Sequence, residues 1–195
     1  YSMFGFQRVG DFIWAAGDSR ARGFLIGGTS GRTTLSGEGL QHQDGHSQLT
    51  ASAHPAVRPY DPAFGYEVVV LMLEGIRRMY QDGETAIYYL TVHNENRPMP
   101  AMPEGTAEGI VNGLYRYNTV RAENEDDGLW VELMASGSIL FEALRAQELL
   151  AGKYGVSSRA WSATSWTLLA RGAREAERYA RLHPGQDAPE PYIRR

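Results

Sequence analysis

His42, Asp44 and His46 alternate within the stretch Gly37–Ser47 (GEGLQHQDGHS), where two imidazoles and two carboxylates stand among three glycines. In an extended segment these three side chains project from one side. Two imidazoles and a carboxylate suit zinc or another divalent metal. Histidine, whose ordinary pKa lies near neutrality, equally suits proton transfer or substrate binding. A polar, glycine-rich stretch also suits a plain solvated loop. The metal reading lacks an obvious fourth donor and asks for rigid positioning, whereas Gly37, Gly39 and Gly45 favour close approach of backbone to a ligand. Spacing alone leaves the three readings open.

Other stretches carry less. GGTSGRTTLSGEG is glycine-rich and follows an apolar run, as an anion-binding turn would, but it lacks the Gly-Lys-Ser/Thr ending of a nucleotide loop. ASGS (135–138) reads as a tight turn in which Ser138 caps a helix. Asn94-Glu95-Asn96 follows a strand at the end where open α/β sheets place ligands, and it also suits a turn. Tyr1, Phe4 and Phe6 cluster with Met3 as core-packing aromatics, Trp161 and Trp166 are assigned to the core, and His54 and His93 are assigned structural places.

The elements that must position these groups alternate in type. Val9, Phe12, Ile13 and Ala16 recur at helical spacing and predict a helix to about Arg22, followed by a short buried strand at Phe24–Ile26. A loop from Thr29 to about Gly45 exceeds the usual connection length, which favours a functional segment. Asp61 as N-cap and Pro62 at the first helical position start a second helix that Gly83 stops, and Ala86–Val92 reads as a strand. This alternation implies a parallel sheet covered by helices. Pro98, Pro100 and Pro103 mark an exit loop between units. Beyond it come an extended segment from Gly113 to Val120, an acidic turn at 123–127 and a strand from Leu129 to Ala135. A helix with Ile139, Ala143, Ala146 and Leu150 on one face follows, then a strand at Arg159–Ala163 and a last helix over 168–182.

The chain has 195 residues with no cysteine, which excludes disulfides and thiolate chemistry, and a net charge of −4 offers no electrostatic footprint for nucleic acid or an anionic membrane. The longest apolar run, Val68–Leu73, is far short of the roughly 20 residues that span a bilayer. A soluble globular protein without nucleic-acid or membrane partners is expected. The chain opens on Tyr1 without an initiator methionine and stops as an aromatic pattern resumes, so a piece of a longer polypeptide is expected too.

Taken as strings, YSMFGFQR, ARGFLIGGTSGRTTLSGEGLQHQDGHS, YDPAFGYEVVV, YYLTVHNEN and MPAMPEG resemble the homodimeric bacterial type of pyruvate dehydrogenase, with further likeness in ASGSIL and SATSWTLLAR. The resemblance implies an α/β, thiamin diphosphate-binding, transketolase-like fold, with residues 1–103 forming the later part of a pyrimidine-binding domain. Residues 104–195 would begin a C-terminal domain. It implies a cytoplasmic homodimer that decarboxylates pyruvate oxidatively and transfers acetyl to the lipoyl domain of dihydrolipoyl acetyltransferase. Tyr1 and Phe4 would line the cofactor, Phe4 against its aminopyrimidine ring. His42, with the Tyr1 hydroxyl, would face the reacting end and hydrogen-bond the substrate oxygen that gains charge. Asp44 and His46 would order or gate the loop, and Glu38 would brace it or the subunit interface. The activating glutamate, together with the diphosphate and Mg2+ ligands, would lie upstream of Tyr1, so these 195 residues by themselves are expected to be inactive. Another thiamin-dependent 2-oxo-acid dehydrogenase, a transketolase-like enzyme, and a non-catalytic metal module on HQDGH remain the alternatives.

Overall fold

A computed structural model describes residues 2–28, 30–31, 44, 46–122 and 129–195, with only the backbone of residues 2–5. Tyr1, Glu38, His42 and the acidic turn lie outside the described residues, as does the Phe4 side chain.

The first unit is a three-stranded parallel sheet in the order β1-β3-β2, formed by Gly23–Gly27, Val57–Tyr60 and Ile87–Thr91 in chain order. All five residues of the central strand β3 (IYYLT) are buried, the continuous apolar run expected of a strand covered on both faces. β1 is a described edge of the sheet, so the expected burial of Phe24–Ile26 is incomplete: Leu25 and Ile26 are exposed.

Helix α1 runs Ser2–Asp18, ending before the expected Arg22, and bends at Val9. Phe6, Ile13 and Ala16 pack inward while Phe12 faces out. A short helix α2, Ser47–Ser52, and strand β2 were not foreseen. Six residues give α2 too little length for periodicity, and β2 (VRPY) carries a proline, which a strand tolerates at an edge.

Helix α3, Gly65–Ile76, continues through a π-helical turn, Arg77–Gln81, before Gly83 reverses the chain at a φ of +75°. Its start corrects the sequence reading of Asp61 as N-cap. Phe64 occupies the cap position, and the Glu67 carboxylate accepts the N–H groups of Ala63 (2.5 Å) and Phe64 (3.1 Å). Asp61 is thereby released to face the joint between the two sheets.

Inside the expected exit loop the chain forms α4, Ala107–Asn112. The second sheet is mixed, in the order β4-β6-β5, from Tyr115–Val120, Trp130–Ala135 and Ser157–Ser162; β6 pairs antiparallel with β4 and parallel with β5. Helices α5, Ile139–Tyr154, and α6, Trp166–Leu182, pack beside it. Ser138 sits at the N-cap position of α5 but makes no side-chain cap, whereas the Ser165 hydroxyl accepts from Leu168 N–H and caps α6. Leu140 and Ala143, rather than Ile139, turn α5 to its neighbours, and Trp166, expected in the core, is half-exposed.

The two sheets share buried contacts. Tyr60, Leu71, Tyr88 and Leu90 pack with Ile110 and Tyr115, and Ala63 and Phe64 pack with Ala135 and Leu140. Polar links cross the same joint: Ser165 Oγ donates to Pro59 O (2.6 Å), and Arg171 donates to the carbonyls of Val57 (2.7 Å), Ser52 (3.0 Å) and His54 (3.0 Å). This joint sets the position of the site described next.

Candidate functional site

Strands β1, β2 and β3 run parallel, so their carboxyl ends open on one edge, the place where α/β sheets put ligands. There a cavity of about 380 Å³ is walled by Ser30, Asp44, His46, Asp61 and Thr91 from the first unit and by Ser136, Ser138, Ser165 and Trp166 from the second.

Asp44 is buried. Its carboxylate accepts the backbone N–H of Ser47 (3.1 Å) and the Ser47 hydroxyl (2.6 Å), holding the segment ahead of α2. His46 is exposed, and its Nε2 lies 2.9 Å from the side-chain nitrogen of Gln7 on α1. The two residues therefore border one cavity yet tie to different elements. His42, Tyr1 and Glu38 lie outside the described residues. Among the described residues no three His, Asp or Glu side chains gather as a metal site.

Sequence reasoning missed Asp61, Thr91 and Ser136. The Thr91 hydroxyl donates to Asp61 Oδ1 (2.5 Å) and lies 3.3 Å from the donating Gln48 side-chain amide of α2. Ser136 hydrogen-bonds the same carboxylate and accepts from Trp166 Nε1 (3.3 Å). Burial pushes the Asp61 carboxyl above its ordinary range against the hydrogen bonds of Thr91 and Ser136, which favour ionisation. His93, behind it, is pushed below its ordinary value by burial, and its buried Nε2 has no partner among the described residues. A signal was present in the sequence: Thr91 ends one parallel strand and Asp61 directly follows another, once β2 is recognised.

The wall is chemically selective. It presents hydroxyls, two carboxylates, the His46 imidazole and the Gln48 amide beside the apolar Leu49, Ile139 and Trp166, and among its described residues none is lysine or arginine. Such a set of donors and acceptors suits a small polar ligand. A second, deeper carboxylate, Glu67, lies off this wall. It receives Tyr115 Oη and Ser162 Oγ, each at 2.7 Å, in addition to its two backbone N–H groups, and burial raises its pKa.

Comparison with known proteins places this geometry. Residues 1–100 match the family model for the pyruvate dehydrogenase E1 component middle domain, and residues 113–188 match that for the transketolase-like C-terminal domain. The chain is 54% identical over 194 residues to the pyruvate dehydrogenase E1 component of Escherichia coli K12, and 50% identical over 193 residues to that of Pseudomonas aeruginosa. Each match covers 99% of this chain but only 21% and 22% of the relative, so the chain spans about a fifth of their length. Among solved structures, transketolase from Campylobacter jejuni superposes with a TM-score of 0.65 at 18% identity, covering 88% of this chain and 24% of that one. Transketolase from Leishmania mexicana gives 0.61 at 18% identity, covering 88% and 23%. The fold is transketolase-like α/β, with one parallel and one mixed sheet.

Proposed function

Because the chain belongs to the pyruvate dehydrogenase E1 component family, we propose that it forms the substrate-facing wall of a thiamin diphosphate-dependent site that decarboxylates pyruvate and passes the acetyl unit to a lipoyl group. The observation that carries this reading is the position of the cavity. It lies at the carboxyl ends of the parallel strands, inside the stretch that matches the E1 middle domain, and it is closed by residues from the stretch that matches the transketolase-like C-terminal domain.

In this reading residues 1–103 form the later part of the pyrimidine-binding domain and residues 104–195 begin the C-terminal domain. Thiamin diphosphate supplies the electron sink that decarboxylation requires. Phe4 offers an apolar face to the aminopyrimidine ring, and Tyr1 lines the same site. The His42 imidazole and the Tyr1 hydroxyl donate to the substrate oxygen that gains negative charge, and His42 can move a proton to or from it. The described wall offers an anionic substrate the His46 imidazole and no lysine or arginine, so in this reading His42 and Tyr1 carry most of its recognition. Asp44 holds the loop to α2 through Ser47, His46 holds it to α1 through Gln7, and Glu38 braces it. Diphosphate and Mg2+ are assigned to sequence outside this chain. The working form is a cytoplasmic homodimer that meets the lipoyl domain of dihydrolipoyl acetyltransferase.

A full-length protein carrying this chain tests the proposal when assayed in parallel with pyruvate, branched-chain 2-oxo acids and sugar phosphates. Carbon dioxide release and lipoyl acetylation with pyruvate support it. Preference for either other substrate class contradicts it. The 195-residue chain alone should release no carbon dioxide.

A further inference from the structure

Asp61 makes more connections across the joint than any role as a helix cap would need. Its backbone N–H donates to Thr164 O (2.8 Å), and its carbonyl accepts from Gly137 N–H (3.0 Å), so the main chain alone links the end of β2 to two segments of the second unit. Its carboxylate then accepts from Thr91 at the end of β3 and from Ser136 in the turn before α5. The turn is shaped around that carboxylate. Gly137 adopts a φ of +51°, and a Cβ there would lie 2.6–2.8 Å from the Asp61 carboxyl atoms. The Asp61 side chain nonetheless borders the cavity.

We propose that Asp61 is the positioning residue of the site: its carboxylate sets Thr91 and Ser136, and through them Gln48 and Trp166, at the wall where the two units meet. This assignment rests on the reading of the cavity as the reaction site. Through Thr91 the carboxylate reaches the Gln48 amide of α2, and through Ser136 it reaches the Trp166 indole of α6. One carboxyl group therefore orients four polar side chains drawn from both units. The charged and titratable groups that act on it are His93, which favours the carboxylate, and Asp44, which opposes it. His93 in turn senses Arg97 and Glu95 on the segment after β3.

The arrangement works with Asp61 ionised, because only the carboxylate accepts from both hydroxyls at full strength. Protonation below its raised pKa loosens the wall, so activity should fall on the acid side with the Asp61 titration. Removing His93 removes the imidazole whose charged form favours the carboxylate and moves that fall to higher pH. Removing the Thr91 hydroxyl does the same, since its donation stabilises the carboxylate.

The test uses full-length enzyme carrying the chain, with Asp61→Asn, His93→Asn and Thr91→Val, and a carbon-13 NMR titration of the Asp61 carboxyl in the 195-residue chain. Asp61→Asn keeps both backbone links, so it should lower kcat by about tenfold or more with the pyruvate KM unchanged, and its acid limb should disappear. His93→Asn and Thr91→Val should both move the limb upward. In the NMR titration Asp61 should ionise above its ordinary value of 3.8, and higher still in the His93→Asn chain. Wild-type kcat and an unchanged acid limb in Asp61→Asn overturn the assignment, as does an ordinary Asp61 titration whatever the substrate proves to be. A wild-type enzyme inactive on pyruvate with a raised Asp61 titration overturns the functional reading instead.

Discussion

Replacing Glu67 by glutamine and by alanine separates what its shape contributes from what its charge costs. The carboxylate is fully buried and receives four donors, two backbone N–H groups on one oxygen and the hydroxyls of Tyr115 and Ser162 on the other. Alanine leaves all four without it. Tyr115 keeps the Tyr66 hydroxyl at 2.5 Å and Ser162 can turn, so the two backbone groups dominate at about 1 to 3 kcal/mol each. Relief of a poorly solvated charge offsets part of this. The expected cost of Glu67→Ala is about 2 to 4 kcal/mol. Glutamine can keep its oxygen toward the backbone pair and offer its amide to the two hydroxyls, so it should cost less than about 1.5 kcal/mol.

Charge adds a pH signature. Burial raises the folded pKa of Glu67 above the ordinary 4.5, so the folded chain holds that proton more tightly than the unfolded chain does. Stability is therefore greatest below the ordinary value, declines as pH rises through the window up to the folded pKa, and is flat above it. Urea unfolding of this chain and both variants, at several pH values across that window, measures the two effects together. Glu67→Gln should remove that decline. Glutamine as damaging as alanine would show that shape does not explain the role of Glu67, and a decline that persists in Glu67→Gln would show that its charge does not cause the decline.

Two further predictions concern the frame. Arg171→Met removes donors from three carbonyls of the first unit and should cost about 1.5 to 3 kcal/mol by urea unfolding; a change below about 0.5 kcal/mol would show that the staple adds nothing to the joint. Hydrogen bonds from Arg77, together with Arg78, lower Glu74 to about 2, so its contribution is present above the ordinary 4.5 and lost as pH falls toward 2. This pair is solvent-screened, so Glu74→Gln should cost less than about 1 kcal/mol at neutral pH and nothing near pH 2, measured by the same unfolding assay.

How far the sequence discloses the fold depends on the length and setting of each element. β3 is legible because five consecutive β-branched, aromatic or apolar residues fill a doubly covered strand. α6 is legible because its apolar residues recur over four turns. β2 and α2 are hidden because four and six residues carry no period, and Pro59 argues against a strand unless it lies at an edge. Asp61 is the instructive error. An aspartate before a proline is a sound local signal for a cap, yet Glu67, buried six positions later, takes the backbone N–H groups and leaves Asp61 to the joint. Nothing local in sequence announces that Ser165, 106 positions beyond Pro59, will hold the same corner. Asp44 and His46 are legible as loop residues; the Asp44–Ser47 contact is local, whereas Gln7, the partner of His46, lies 39 positions away and is brought there only by packing.

In the proposed function GEGLQHQDGHS faces the substrate of a thiamin diphosphate enzyme, with His42 at the reacting oxygen. The most direct measurement is His42→Ala in a full-length protein carrying this chain, comparing pyruvate turnover at saturating cofactor with cofactor affinity. Turnover should fall at least a hundredfold, the scale on which a positioned acid–base group acts, about 10² to 10⁴, while affinity stays near that of the unaltered protein. Normal turnover of the saturated enzyme alongside a collapse in cofactor affinity would place His42 in cofactor binding and not at the reacting oxygen.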